Sequence, residues 1–233
     1  MALVLLPVQA LEQSARKDSP VDRFSDRLQT ALNNGGSSPL DTLASIELQP
    51  MLAQRLERFR QDFPEVTWQV KPAAPLPDGR PTLSLRVRGT AKSEGLTYAL
   101  EASEQIAIRL EGGQLVDQQL LAQQSLLRSG ERPLAVDVAI PDVVLTGSRY
   151  DVDLIVQEPL GQALVAGGLI DLTDAQLSSQ IRPNLPLAPQ GGGGLFKRVQ
   201  APQQPGSQTW ALMLVHPDGV VTATKMVRVV SGN

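Results

Sequence analysis

Leu134-Ala135-Val136-Asp137-Val138-Ala139-Ile140 and Tyr150-Asp151-Val152-Asp153-Leu154-Ile155-Val156 decide the fold, with turns at Pro141-Asp142 and Thr146-Gly147 between them. Leu134, Val136, Val138 and Ile140 occupy every second position, and so do Tyr150, Val152, Leu154 and Val156. A period of two puts alternate side chains on opposite faces of a strand. Asp151 and Asp153 fall on the face away from the apolar series, so this strand buries one side only, as antiparallel sheets do.

The pattern continues toward the C-terminus. Glu158-Pro159-Leu160-Gly161 is a turn, Leu164 to Leu172 a strand, and Leu195 to Val199 another. Thr209–Val215 and Val220–Val230 pair as a hairpin across His216-Pro217-Asp218-Gly219. Residues 182–194 hold Pro183, Pro186, Pro189 and the run Gly191 to Gly194, which reads as a flexible Pro/Gly-rich loop. Short strands with turns between them and almost no helix predict a β-sandwich over 133–233.

Upstream, Ser129-Gly130-Glu131-Arg132-Pro133 marks a domain boundary. Before it the chain starts helical. Phe24, Leu28, Ala31 and Leu32 line one face of a helix over 22–32, and Asn33-Asn34-Gly35-Gly36 ends it. Ser38-Pro39-Leu40-Asp41 opens a second helical stretch, which Pro50 interrupts, predicting two short helices or one kinked helix over 39–62. From Val66 the period becomes two. Leu83/Leu85/Val87, Leu96/Tyr98/Leu100 and Ile106/Ile108/Leu110 predict three antiparallel strands, and Gly112-Gly113 a hairpin turn after them. Residues 114–128 fit neither period cleanly. The turn before them favours a long return strand over a helix. The predicted class is α+β: N-terminal helices packed on a small antiparallel sheet over 21–130, then an all-β sandwich. Residues 1–20 form a flexible N-terminus or the remnant of an export signal, because the apolar run Ala2 to Val8 leads into Val8-Gln9-Ala10.

The strand spacing over 133–233 resembles an immunoglobulin-like or fibronectin-type sandwich, with Tyr150-Asp151-Val152-Asp153-Leu154 as a central strand and Trp210 as a core aromatic. The paired cysteines of antibody domains are missing, so the resemblance implies architecture alone. Helices followed by an antiparallel meander resemble the NTF2-like cone. Leu145-Thr146-Gly147-Ser148-Arg149-Tyr150-Asp151 is similar to a phrase in an uncharacterised family of oxygenic phototrophs, which implies no activity.

Chemistry is bounded by what the chain lacks. One histidine and no cysteine in 233 residues remove thiolate nucleophiles, disulfides and most zinc sites. The histidine, His216, lies in a turn. A net charge of −3 gives no electrostatic reason to bind nucleic acid, and Arg86, Arg88 and Arg109 read as a solvated face. Gly191 to Gly194 with Lys197 fails the phosphate-loop spacing. Asp151 and Asp153 form a weak calcium candidate that would need Asp142 or Glu158 to fill its shell. Glu101, Glu104, Asp117 and Glu158 are the carboxylates open to an acid pair. A cone mouth lined by Trp68, Tyr98 and Glu101 would bind a small apolar ligand.

These readings favour a soluble, non-enzymatic interaction or assembly module without a cofactor and without a transmembrane helix, bound to a protein partner, with an exported or membrane-peripheral location and a cytoplasmic one as equal alternatives. The alternative is an NTF2-like domain that binds a small molecule or hydrolyses it with carboxylates, carrying the sandwich as an accessory.

Overall fold

The computed structural model describes residues 19–34, 40–93, 95–130, 133–158, 163–179 and 184–232. The export-signal reading, the Ser38-Pro39 cap and Gly35-Gly36 lie outside them. The fold is mostly β. Its helices among the described residues are α1 (Pro20–Asn33), α2 (Gln49–Asp62) and α3 (Asp174–Ser179). Two compact units divide the chain. One contains residues up to Arg86 with Gln105–Leu120, the other Val87–Glu104 with residues from Leu121 onward.

In the first unit, α1 starts where Ser19 caps it. The Ser19 hydroxyl accepts the Asp22 N–H at 3.1 Å, and proline occupies the first turn, where no N–H is needed. Phe24, Leu28 and Leu32 recur at helical spacing on the buried face. They meet Leu56 of α2, Val70 of β1 (Glu65–Ala73), Leu83 of β2 (Thr82–Ser93), Ile106 and Ile108 of β3 (Leu96–Glu111), and Leu115 of β4 (Gln114–Ser129).

The next turn of α1 does something a strand would otherwise do. Asn33 accepts the Trp68 N–H and donates to the Trp68 carbonyl, both at 2.9 Å, while Gln29 accepts the Val70 N–H at 2.8 Å. These two amides, one helical turn apart, cover part of the outer edge of β1, the end strand of its sheet. An uncovered edge invites pairing with another chain. Asn33→Ala is expected to lower stability by about 1–2 kcal/mol through its lost hydrogen bonds. Urea denaturation measures the loss, and light scattering on warming should show earlier aggregation.

Two expectations need correction here. The two short helices or one kinked helix expected over 39–62 reduce, within the described residues 40–62, to the single helix α2, which begins only at Gln49 with Pro50 in its first turn instead of interrupting a helix. Leu40 to Leu43 is a turn, after which Ala44 bridges Leu115. The pair of short strands placed at 96–100 and 106–110 is a single 16-residue strand, β3. The stretch 114–128, for which the hairpin turn favoured a return strand over a helix, is strand, within β4.

The second unit holds β5 (Val136–Ala139), β6 (Val143–Leu145), β7 (Arg149–Val156), β8 (Val165–Leu172), β9 (Ala188–Gln190), β10 (Gly194–Gln200), β11 (Gly206–His216) and β12 (Gly219–Val230). One sheet runs in the order β1-β2-β3-β4-β12-β11-β8-β9, and a three-stranded sheet runs β10-β7-β5. β12 pairs antiparallel with β4 and β11, β8 with β11 and β9, and β7 with β10 and β5, whereas β6 lies parallel to the end of β12, Val143 opposite Arg228. Val152 and Leu154 of β7, Leu195 of β10, Leu212 and Leu214 of β11, and Val221 and Val227 of β12 share one core. Side chains from both sheets thus fill it, an arrangement compatible with a β-sandwich. Among the described residues, no helix is long and apolar enough to cross a membrane.

Candidate interaction surface

A polar chain fixes the two sheets to each other inside the second unit. The Trp210 indole N–H donates to the Tyr150 hydroxyl at 2.9 Å, and that hydroxyl donates to Gln208 Oε1 at 2.7 Å. The Gln208 amide in turn donates to the Asp171 carboxylate at 2.8 Å. Tyr150 stands on β7 of the small sheet; Gln208 and Trp210 stand on β11 of the large one. Buried indole and phenol groups require such partners. Lys197 of β10 adds its ammonium 5.4 Å from the Trp210 ring centre, within cation–π range.

Burial pushes the Tyr150 phenol above its ordinary value, with the Asp171 carboxylate adding to the effect and the Trp210 hydrogen bond opposing it. The stability linked to neutral Tyr150 is therefore complete below the unfolded value of about 10 and is lost as pH rises through the raised folded value. Titration of phenolate absorbance is expected to show a phenol ionising late, absent from Tyr150→Phe. That variant also strands the Trp210 N–H and the Gln208 carbonyl, lowering stability by about 1–3 kcal/mol.

The small sheet presents its other face outward. Asp151 stands opposite Arg198, Asp153 opposite Phe196, Ile155 opposite Gly194, and Asp137 of β5 opposite Ile155. Phe196 is 60% exposed and Ile155 36%. The Phe196 ring lies over Gly193, close to where a Cβ there would sit. Around this apolar pair the charges are partly engaged. The Arg198 guanidinium donates twice to the Asp151 carboxylate, at 2.8 and 3.3 Å. That contact holds the Asp151 carboxyl below the usual carboxylate range.

β10 is also an edge, hydrogen-bonded to β7 alone among the described strands. The Val156 N–H donates to the Gly193 carbonyl, and the Ala201 N–H to the Ser148 carbonyl. In an antiparallel ladder, bonded positions alternate. Odd-numbered residues of β10 therefore bond to β7, and the peptide groups of Phe196, Arg198 and Gln200 point away from it. The chain enters this edge by a backbone that requires glycine. Gly194 has φ of +139°, and a Cβ on it would lie 1.9 Å from the Leu154 carbonyl oxygen. The run read as a flexible loop thus includes the first residue of a strand.

The residues proposed from sequence fall in separate places. Trp68 packs edge-on against Phe59, ring centres 5.4 Å apart, in the first unit. Tyr98 is half-buried and Glu101 exposed, both in the second unit, and Glu101 pairs with Arg128 at 3.2 Å. Glu104 accepts from the Gln123 amide at 2.7 Å, while Asp117 belongs to the first unit. Asp151 is engaged by Arg198, and Asp142 turns to the Lys225 ammonium instead of toward Asp151. Among the described residues, no three His, Cys, Asp or Glu side chains gather where they could hold a metal. His216 ends β11 with its side chain only 8% exposed, its Nδ1 accepting the Asp218 N–H at 3.1 Å.

Phe196 and Ile155 were not among the sequence-derived sites, although the signal for Phe196 was present. With Leu195 and Val199 facing the core, the intervening parity places Phe196 beside Arg198 on the polar face.

Residues 131–230 match the model of a family described as a domain of unknown function, DUF8623. The matched span takes in every strand from β5 to β12. No curated protein matches the chain.

Proposed function

We propose that this chain is a non-enzymatic interaction module whose second unit is a fibronectin-type sandwich and whose contact surface is the outer face of β10 and the edge that the described strands leave unpaired. The strand orders β10-β7-β5 and β6-β12-β11-β8-β9 support the sandwich assignment, since they match a three-stranded sheet facing a second sheet built on the C-terminal hairpin. The hydrogen bond from Trp210 to Tyr150 then joins the two sheets where antibody domains use a disulfide.

One observation carries the functional reading. A phenylalanine 60% exposed stands on an edge strand whose peptide groups face outward. Edge strands in stable proteins are usually short, charged or covered, and a large exposed aromatic there favours recognition. One histidine and no cysteine in the chain support a non-catalytic role.

Affinity isolation from native cells, with mass spectrometry of the bound proteins, tests this reading against a Phe196→Glu variant of unchanged circular dichroism and Tm. The expected result is a protein recovered with the wild-type chain and depleted at least about tenfold with the variant, the effect of losing roughly 1.4 kcal/mol of contact. Identical recovery with both chains would sink it.

A further inference from the structure

Resting on the interaction reading, we propose that the edge of β10 left unpaired among the described strands takes a second copy of this chain, the two β10 strands pairing antiparallel about a two-fold axis at Phe196. Pairing across a two-fold brings residues of equal parity opposite each other, since neighbours across a sheet must point to the same face. Three centres give a substantial overlap within Gly194–Gln200. A centre at Lys197 sets one ammonium directly against the other, and a centre at Arg198 does the same with two guanidinium groups. Like charges directly opposite destabilise a sheet.

A centre at Phe196 avoids both. It sets ring against ring, a favourable cross-strand pair. Lys197 then lies opposite Leu195 of the second copy, and Arg198 opposite Gly194, which has no side chain to obstruct it. The outward peptide group of Phe196 and the Arg198 N–H supply the hydrogen bonds, since the Gly194 N–H is already held by the Gly192 carbonyl at 2.7 Å. Arg198 keeps its own Asp151 partner on the outer face, so no ion pair has to break. Charge on β10 thus selects the register.

Sedimentation equilibrium of the full chain over a wide concentration range reads the outcome directly. The expected result is a concentration-dependent rise from one chain mass to two. Phe196→Glu should remain at one chain mass throughout, with unchanged circular dichroism and Tm, and Phe196→Tyr should restore the doubling. Because the chain has no cysteine, Phe196→Cys carries a unique thiol, and a short bismaleimide should join two such chains at this position. A single-chain mass at every concentration overturns the self-pairing, and so does a dimer that Phe196→Glu leaves intact. If the mass stays single but affinity isolation still returns a protein that depends on Phe196, the interaction reading stands with a foreign strand as occupant. If that isolation fails as well, both fall.

Discussion

Leu212→Ala is expected to destabilise the protein by about 2–5 kcal/mol, through the lost burial of three heavy atoms and the cavity left behind. Leu212 is fully buried in the middle of β11, opposite Ala223 of β12 on one side and Leu169 of β8 on the other. The bonded strands on both flanks leave the backbone little freedom to close the void. Urea denaturation followed by tryptophan fluorescence should report the loss, since Trp210 lies two residues away in the same core. Leu164→Ala is the control. Leu164 is 90% exposed, so its truncation should change stability by less than about 0.5 kcal/mol. Equal effects from the two variants would contradict the placement of the core.

Gly194→Ala is expected to cost on the order of 3 kcal/mol, a loss seldom seen for the addition of one methyl group. The φ of +139° is disfavoured for any side chain, and the new Cβ would have to share space with the Leu154 carbonyl oxygen. The obstacle is backbone, which cannot rotate aside, so the start of β10 must separate from β7. For a chain of this size, the fall in Tm is roughly 6–12 °C. Gly206→Ala makes the matching comparison, because nothing lies within 4 Å of its Cβ position and its φ is not in the left-handed region. Its effect should be near zero or slightly stabilising. If Gly194→Ala behaves like Gly206→Ala, the run from Gly191 is a mobile connector after all.

Much of the strand layout was legible because turn residues and a period of two are local signals. Tyr150, Val152, Leu154 and Val156 alternate in the sequence and all point into the core. The C-terminal hairpin was placed from His216-Pro217-Asp218-Gly219, and His216 does pair with Gly219. Where local signals failed, a distant contact had intervened. Nothing in Glu101–Gln105 announces that β3 runs on through them. Gln123 binding Glu104 and Arg128 binding Glu101 come from β4, whose register is invisible from β3 itself. Pro50 suits a first helical turn as well as a break, and Ala44 bridging Leu115 commits the preceding residues to a turn.

The candidate surface shows the same division. Asp151 and Asp153 were placed on an outward face from parity alone. That Asp151 would be claimed by Arg198 depends on β10 crossing to pair with β7, 47 residues away in sequence. The sequence by itself determined which side chains share a face, where the strands turn, and that one histidine and no cysteine leave little material for a chemical centre. These follow from backbone geometry over a few residues and from composition. Only the tertiary structure decided that Phe196 stands at an edge, that Gly194 must be glycine, and that Trp210 and Tyr150 join the sheets. Each of these depends on which distant strand arrives alongside, and hydrogen bonds between strands carry no record in the local order of residues.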